Sequence, residues 1–252
     1  MVTTAKIKYL SSLKFKKHRL RESKFLIEGE NLLKSAISGK ANIEEIYYSE
    51  EFPEKRLRQL GISKKIPVFK ISSSHMKKVS SLTSPPGIAA IIPCFNYGFS
   101  AVGSFRRLLY FDGISDPGNI GTLIRSASAF GFKGIMLSPE CCEIYNPKLL
   151  RSSAGYIFNQ PIYDNILRDN LIELKKTGYK LISADSEAEN SINRYKCPRK
   201  AILILGNEPH GISGEIGSIV DISLKIPTDS NVDSLNVASA GAIMMFWASG
   251  QP

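Results

Sequence analysis

The chain is poor in the residues that usually hold metals or staple small folds. Its three histidines, His18, His75 and His210, stand far apart, and its four cysteines, Cys94, Cys141, Cys142 and Cys197, show no C-x-x-C spacing. That pattern offers neither a zinc site nor a disulfide framework, so no metal is expected. No apolar core of a signal peptide follows the polar start. The longest weakly polar stretch, Ala238 to Ala248, falls well short of the ~20 residues that span a bilayer. No membrane partner is expected, and a reducing cytoplasm is the expected location. Neither a Walker A loop nor a G-x-G-x-x-G fingerprint follows the apolar runs, which counts against a nicotinamide-dependent enzyme.

What is present is unevenly distributed. The 252 residues are 43% apolar, enough to bury two modest cores. Residues 1–100 hold 18 Lys+Arg against 8 Asp+Glu, whereas residues 101–252 hold 15 against 15, so the whole net charge of +10 sits in the first 100 residues. Lys and Arg gain affinity for phosphates by releasing counterions. This asymmetry reads as a polyanion-binding part attached to a neutral module, or as a merely solvated basic face. The densest stretch, Lys6 to Lys24, has eight basic residues and one acidic, Glu22. It reads as a phosphate-contacting arm.

Short apolar runs alternate with helical patterns throughout. In the first part, strands are expected at 25–28, 43–48, 68–71 and 88–92, and helices at 30–38, 53–60 and 73–80, giving a small α/β sandwich. Residues 96–105, overlapping the Gly-, Ser- and Pro-rich stretch PCFNYGFSAVGS (93–104), are read as a linker between domains at 1–95 and 106–252. Beyond it, strands are expected at 108–111, 134–137, 180–184, 201–205 and 222–226. Helices are expected at 119–130, 148–158, 166–176, 213–219 and 236–247. The alternation predicts a mostly parallel sheet covered on both faces.

Three polar segments each follow an apolar run: DGISDPGNIGTLIRSASAFG (112–131), LGNEPHGIS (205–213) and IPTDSNVDSLNVASA (226–240). Parallel sheets bind ligands beyond the carboxyl ends of their strands, where these segments fall. In the first, Arg125 lies six residues past Asn119, about 600° around a helix at roughly 100° per residue. The two converge only if Asn119 belongs to the loop; the alternative is an N-capped helix with an exposed Arg. The second is either a glycine turn or a ligand loop with Glu208 as acceptor. In the third, Ser234 is a plausible N-cap, and the small residues after Asn236 permit close approach of another helix or a loop.

Taken together, D-x-x-x-D-P-x-N-x-G-x-x-x-R, then G-N-E-x-x-G, then I-P…S-L-N-V-A closely resembles the SpoU (TrmH-like) branch of the SPOUT RNA methyltransferases. Residues 20–95, beginning KFLIEGENLLKSAI, are similar to that family's L30e-like substrate-binding domain. The resemblance implies an S-adenosyl-L-methionine-dependent enzyme that methylates a ribose 2′-hydroxyl, with a catalytic sheet threaded into a deep trefoil knot. It implies cofactor binding at Leu205, Gly206, Asn207, Ile226 and Leu235, and catalytic roles for Asn119, Arg125, Glu208, Ser234 and Asn236. It also implies a homodimer through the C-terminal domain, to which the helices expected at 236–247 and 148–158 are candidate contributors. Thr228 and Ser230 depart from the family's common Met and Gly.

A 2′-hydroxyl is a weak nucleophile near neutral pH, so such an enzyme must place the oxygen in line and manage its proton. The family assigns Arg125's position a general-base role. A guanidinium pKa above about 12 makes a phosphate clamp that stabilises alkoxide charge the better reading. The expected partner is RNA, ribosomal before transfer RNA, with a non-catalytic RNA-binding or assembly factor as the alternative from another class. Tyr47, Tyr48 and Phe69 either stack on bases or belong to the core.

Overall fold

Runs such as KFLIE, RLLYF and AILIL are too short for stable helices and rich in branched and aromatic residues, and in the computed structural model they form strands. Residues 2–229, 231 and 234–250 are described. The chain divides into two compact units, 1–96 with 145–158, and 97–144 with 159–252.

The first unit contains α1 (Thr4–Ser12), α2 (Lys16–Glu22), β1 (Lys24–Glu28), α3 (Glu30–Ser38), β2 (Glu45–Tyr48), α4 (Glu54–Gln59), β3 (Val68–Lys70), α5 (Ser73–Val79) and β4 (Ile88–Pro93). Its sheet runs β1-β4-β2-β3, antiparallel except for the β2–β3 pair. Ile7, Leu10 and Leu13 pack with Leu26, Tyr47, Met76, Val79, Ala89 and Ile91 into one core. Phe25, one residue out of phase with Leu26, points to the opposite face and stacks on Tyr145 at 4.6 Å, as period-two alternation requires.

The stretch from Lys6 to Lys24 is therefore not an arm. It folds into α1 and α2, and four of its eight cations are engaged within the unit, Arg21 with its neighbour Glu22 at 2.8 Å. Lys6 pairs with Glu45 at 2.7 Å and Lys24 with Glu44 at 2.6 Å. Arg19 is 3% exposed, its guanidinium donating to the carbonyls of Leu13 and Lys14. Tyr47 belongs to the core, its ring stacked on Phe69 at 5.4 Å.

The second unit holds β5 (Arg107–Phe111), α6 (Pro117–Ala129) and β6 (Ile135–Leu137). The next helix, α7 (Pro147–Ser152), lies in the stretch assigned to the first unit. Then follow β7 (Ile162–Tyr163), α8 (Arg168–Lys176), β8 (Lys180–Ala184), β9 (Asn190–Ser191), β10 (Ala201–Leu205), α9 (Gly214–Gly217), β11 (Ile222–Lys225) and α10 (Val237–Ala248). All seven strands are parallel, in the order β7-β6-β5-β10-β8-β11-β9. β5 and β10 are buried on both faces, which explains their unbroken apolar sequence.

Leu108, Tyr110, Ile202 and Ile204 pack toward Leu171, Leu174 and Ile216 of α8 and α9. On α10, Gly241 lets the helix close in: a Cβ there would lie 2.3 Å from a Leu123 methyl of α6 and 2.7 Å from one of Leu205.

Residues 96–105, linker-like in composition, contain a 3-10 turn, Phe99–Ser104, in the second unit. Its Val102 is fully buried, and the Tyr179 hydroxyl donates to the carbonyl of Phe105, fixing a stretch whose small residues gave no periodic signal. The helix expected over 148–158 is broken into α7 and a 3-10 turn, Tyr156–Asn159, with Ala154 and Gly155 at positive φ between them.

Candidate active site

Parallel strands deliver their following loops to one edge of the sheet, and β5, β8, β10 and β11 do so here. At the end of β5, Asp112 is 6% exposed and accepts from the Ser213 amide at 2.7 Å, and the Asn207 side-chain amide donates to the Gly113 carbonyl at 2.7 Å. These two bonds tie the first polar segment to the second. Gly206 is required where the second turns back: a Cβ would sit 2.4 Å from the Gly211 carbonyl, and paired backbone bonds of 2.8 Å join Asn207 and Gly211.

Asn119 lies on α6, not in the loop before it. Asp116 caps that helix by accepting from the Asn119 amide at 3.0 Å, and Pro117 occupies the first turn. The Asn119 side chain donates to Glu208 at 3.1 Å. Asn236 donates to the same Glu208 oxygen at 2.5 Å and to Asn119 at 3.1 Å. Val237 N adds a fourth bond to the network, reaching Glu208 Oε1 at 3.3 Å. The cap of α10 is Asn236, whose Oδ1 accepts from Ala238 and Ser239; Ser234 lies two residues earlier. One asparagine thus both starts a helix and anchors the carboxylate.

A cavity of about 400 Å³ is lined by Leu205, Gly206, Asn207, Ile226 and Leu235, all five residues expected to bind cofactor, and also by Glu208 and Ser234. Its size suits a ligand somewhat smaller than a typical drug-sized molecule or of similar size. Asn207 Oδ1 is buried and has no hydrogen-bond partner among the described residues. An orphaned acceptor in such a wall fits a donor-bearing ligand. Arg125 is exposed on α6 and forms no hydrogen bond or ion pair among the described residues, so it is not drawn into the Asn119–Glu208–Asn236 network. Ser230, flagged as a departure in the third segment, lies outside the described residues.

Some lining residues escaped the sequence reading. Ser183, Asp185 and Ser186 close the cavity from the end of β8, and Ser223 of β11 bonds to Ser183 at 2.7 Å. The signal was available, since polar residues ending a parallel strand are the usual mark of a ligand loop. Asp112, inside the first segment, was overlooked because its role is to bond a backbone amide.

The SpoU rRNA methylase family model matches residues 106–246, and the MRM3-like substrate binding domain model matches residues 4–90. The chain belongs to the SpoU rRNA methylase family. It is 30% identical over 247 residues to the 23S rRNA (guanosine(2553)-2'-O)-methyltransferase RlmP of Bacillus subtilis, a match spanning 97% of this chain and 96% of that one. Among solved structures, a putative RNA methyltransferase of the TrmH family from Porphyromonas gingivalis aligns with a TM-score of 0.86 at 27% identity, covering 98% of each chain. The SpoU methyltransferase AviRb from Streptomyces viridochromogenes, solved with AdoMet, shares the fold with a TM-score of 0.88 at 22% identity, covering 98% of this chain and 97% of that one. The SpoU family thus accounts for the α/β architecture, the mostly parallel sheet and the smaller N-terminal domain.

Proposed function

We propose that this SpoU-family enzyme, an S-adenosyl-L-methionine-dependent RNA ribose 2′-O-methyltransferase, acts on ribosomal RNA. The observation that carries the reading is the convergence of all five expected cofactor residues on one cavity that Glu208 also lines, with Glu208 held by Asn119 and Asn236. Similarity along nearly the whole chain to a 23S rRNA methyltransferase supports the choice of RNA. S-adenosylmethionine bound there would supply an electrophilic methyl group. Leu205, Gly206, Asn207, Ile226 and Leu235 would hold it, with Asn207 Oδ1 free to accept from it.

The chain's own groups then have to orient the ribose hydroxyl. Glu208 Oε1 is already engaged by two side-chain amides and a backbone amide. Oε2 makes no hydrogen bond among the described residues and is left to accept from the substrate hydroxyl. Arg125, charged and unengaged, suits an RNA phosphate beside the reacting ribose and would stabilise negative charge developing on its oxygen. Ser234, on the cavity wall, would add a donor near the same centre.

The first unit, carrying the net charge and matching a substrate binding domain, would hold the folded RNA. A homodimer through the second unit is supported by the exposed Ile243 and Phe246 of α10, the latter edge-on to Phe130 at 5.8 Å. Insertion of the late strand β10 between β5 and β8, with α10 returning onto α6, supports the trefoil knot. A cytoplasmic location accompanies this reading.

The test is transfer of label from tritiated S-adenosylmethionine to ribosomal RNA and, separately, to tRNA from cells lacking the protein. Label in ribosomal RNA only, lost with Arg125→Ala, is the expected result. Label in tRNA only would overturn the substrate. Cofactor binding without transfer to free RNA or assembled particles would make the chain a binding factor.

A further inference from the structure

The most solvent-exposed large apolar side chain among the described residues is Phe15, at 64%, in the turn between α1 and α2. A lone exposed apolar residue is ordinary. The setting of this one is not. Its backbone is fixed on both sides: Phe15 N donates to Ser12 O at 3.0 Å, and its carbonyl accepts from His18 N at 3.0 Å and Arg19 N at 3.2 Å. Beneath it Leu13 is buried, and the buried Arg19 guanidinium grips the Leu13 and Lys14 carbonyls at 2.9 and 2.6 Å. The corner is built to hold its shape with the ring outside. His18, the ring in contact with Phe15, meets it at 60° with centroids 6.5 Å apart, and no ring is stacked on Phe15 among the described residues.

The charges nearest it in sequence are of one sign. Lys14, Lys16 and Lys17 flank Phe15 along the chain and form no ion pair among the described residues, whereas Lys6, Arg21 and Lys24 are paired with Glu45, Glu22 and Glu44. A fixed aromatic face among free cations is the combination that binds unpaired nucleotides, because every base has a face to stack and a phosphate to neutralise. A protein partner would need carboxylates of its own to gain from three adjacent unpaired lysines, whereas every nucleotide brings base and phosphate together.

We propose that the α1–α2 corner is a binding site for an unpaired RNA nucleotide, with Phe15 stacking on the base and Lys14, Lys16 and Lys17 holding the adjacent phosphates. The proposal rests on the reading of RNA as substrate and names where a single-stranded segment of it is gripped.

Two measurements test it separately from that reading. Binding of a fluorescein-labelled oligoadenylate of about 12 nucleotides, followed by anisotropy across a salt series, should weaken about ten-fold in Phe15→Ala with the salt slope unchanged, and recover in Phe15→Trp. Lys16→Ala with Lys17→Ala should instead flatten the slope by roughly one unit for each phosphate no longer neutralised. Methyl transfer to 23S rRNA should show a raised KM for Phe15→Ala with kcat unchanged. Equal oligonucleotide affinity for wild type and Phe15→Ala, or no binding by wild type, overturns the site. So does a self-association or protein contact that Phe15→Ala abolishes while RNA binding is kept. Loss of oligonucleotide binding in Phe15→Ala with no methyl transfer by wild type would overturn the ribosomal substrate and leave the site standing.

Discussion

The two units use polar residues in opposite ways. In the first, cations are spread over helices and turns: some pair with a carboxylate, as Lys6 does with Glu45, Arg19 is buried against carbonyls, and Lys16 and Lys17 form no ion pair among the described residues. In the second, 13 Lys+Arg stand against 15 Asp+Glu, and polar residues beyond the strand ends bond to one another, as Asn119, Glu208 and Asn236 do. A diffuse field suits holding a polyanion with little regard for sequence, and a closed network suits fixing a few atoms. Under the proposed function, holding and chemistry are separated along the chain, so substitutions in one unit should leave the other's observable nearly untouched.

The sharpest break of that separation should come at Arg125, in the second unit but free of its network. Arg125→Ala is expected to lower kcat by on the order of 10²–10³, as loss of a charge-stabilising donor does, with cofactor affinity and melting temperature unchanged. An active variant, measured by tritium transfer, would remove Arg125 from the chemistry. Next in size is Gly206→Ala, whose Cβ has no room beside the Gly211 carbonyl. Backbone displacement of that kind costs about 1–3 kcal/mol, and calorimetry should show weaker cofactor binding together with a lower melting temperature.

Asn236 divides stability from chemistry within one side chain. Asn236→Asp keeps the oxygen that caps α10 but replaces the amide that holds Glu208 with a second negative charge. The cap, worth about 1 kcal/mol, should survive, while kcat falls by roughly ten-fold or more through loss of the positioned carboxylate. Asn236→Ala should lose both. Equal melting points for the two variants would mean the cap contributes little.

Much of this arrangement was legible in the residues, for reasons that also explain the failures. β10 begins and ends where its apolar run does, because a strand buried on both faces has no polar residue until it leaves the sheet, whereas β8, expected at 180–184 and observed there, opens on exposed Lys180 and carries Ser183. β7 and β9, two residues each, carry no periodicity to read. Lys6 to Lys24 looked like an arm because charge dominates its composition. Its helices are declared only by Ile7, Leu10 and Leu13 at helical spacing, and by an arginine satisfied by carbonyls that no sequence displays as partners. The five residues expected to bind cofactor were named through motif order and line one cavity, whereas Asp185 follows β8, which leads into no motif, and Ser223 lies within β11, ahead of the third motif.

The smallest expected effect separates the units by acid. Burial pushes the Glu45 carboxyl up, but hydrogen bonds from Lys6 and Tyr47 outweigh it and hold the group below its ordinary 4.5. In the second unit burial likewise raises Asp221, and the Leu181 amide with Lys175 and Lys180 brings it below its ordinary 3.8. A depressed folded pKa means stability that is fully present above the unfolded value and is lost as pH falls through the folded one. Glu45's contribution should therefore begin to fade below about pH 4.5 and Asp221's below about 3.8. The single tryptophan, Trp247, bonds to the Tyr195 carbonyl in the second unit and reports that unit alone. On acid titration, far-UV circular dichroism should begin to change before tryptophan fluorescence does, and Glu45→Gln should flatten that early change. Fluorescence moving first would place the acid-sensitive contacts in the catalytic unit and erase the contrast between a loosely paired first unit and a tightly bonded second.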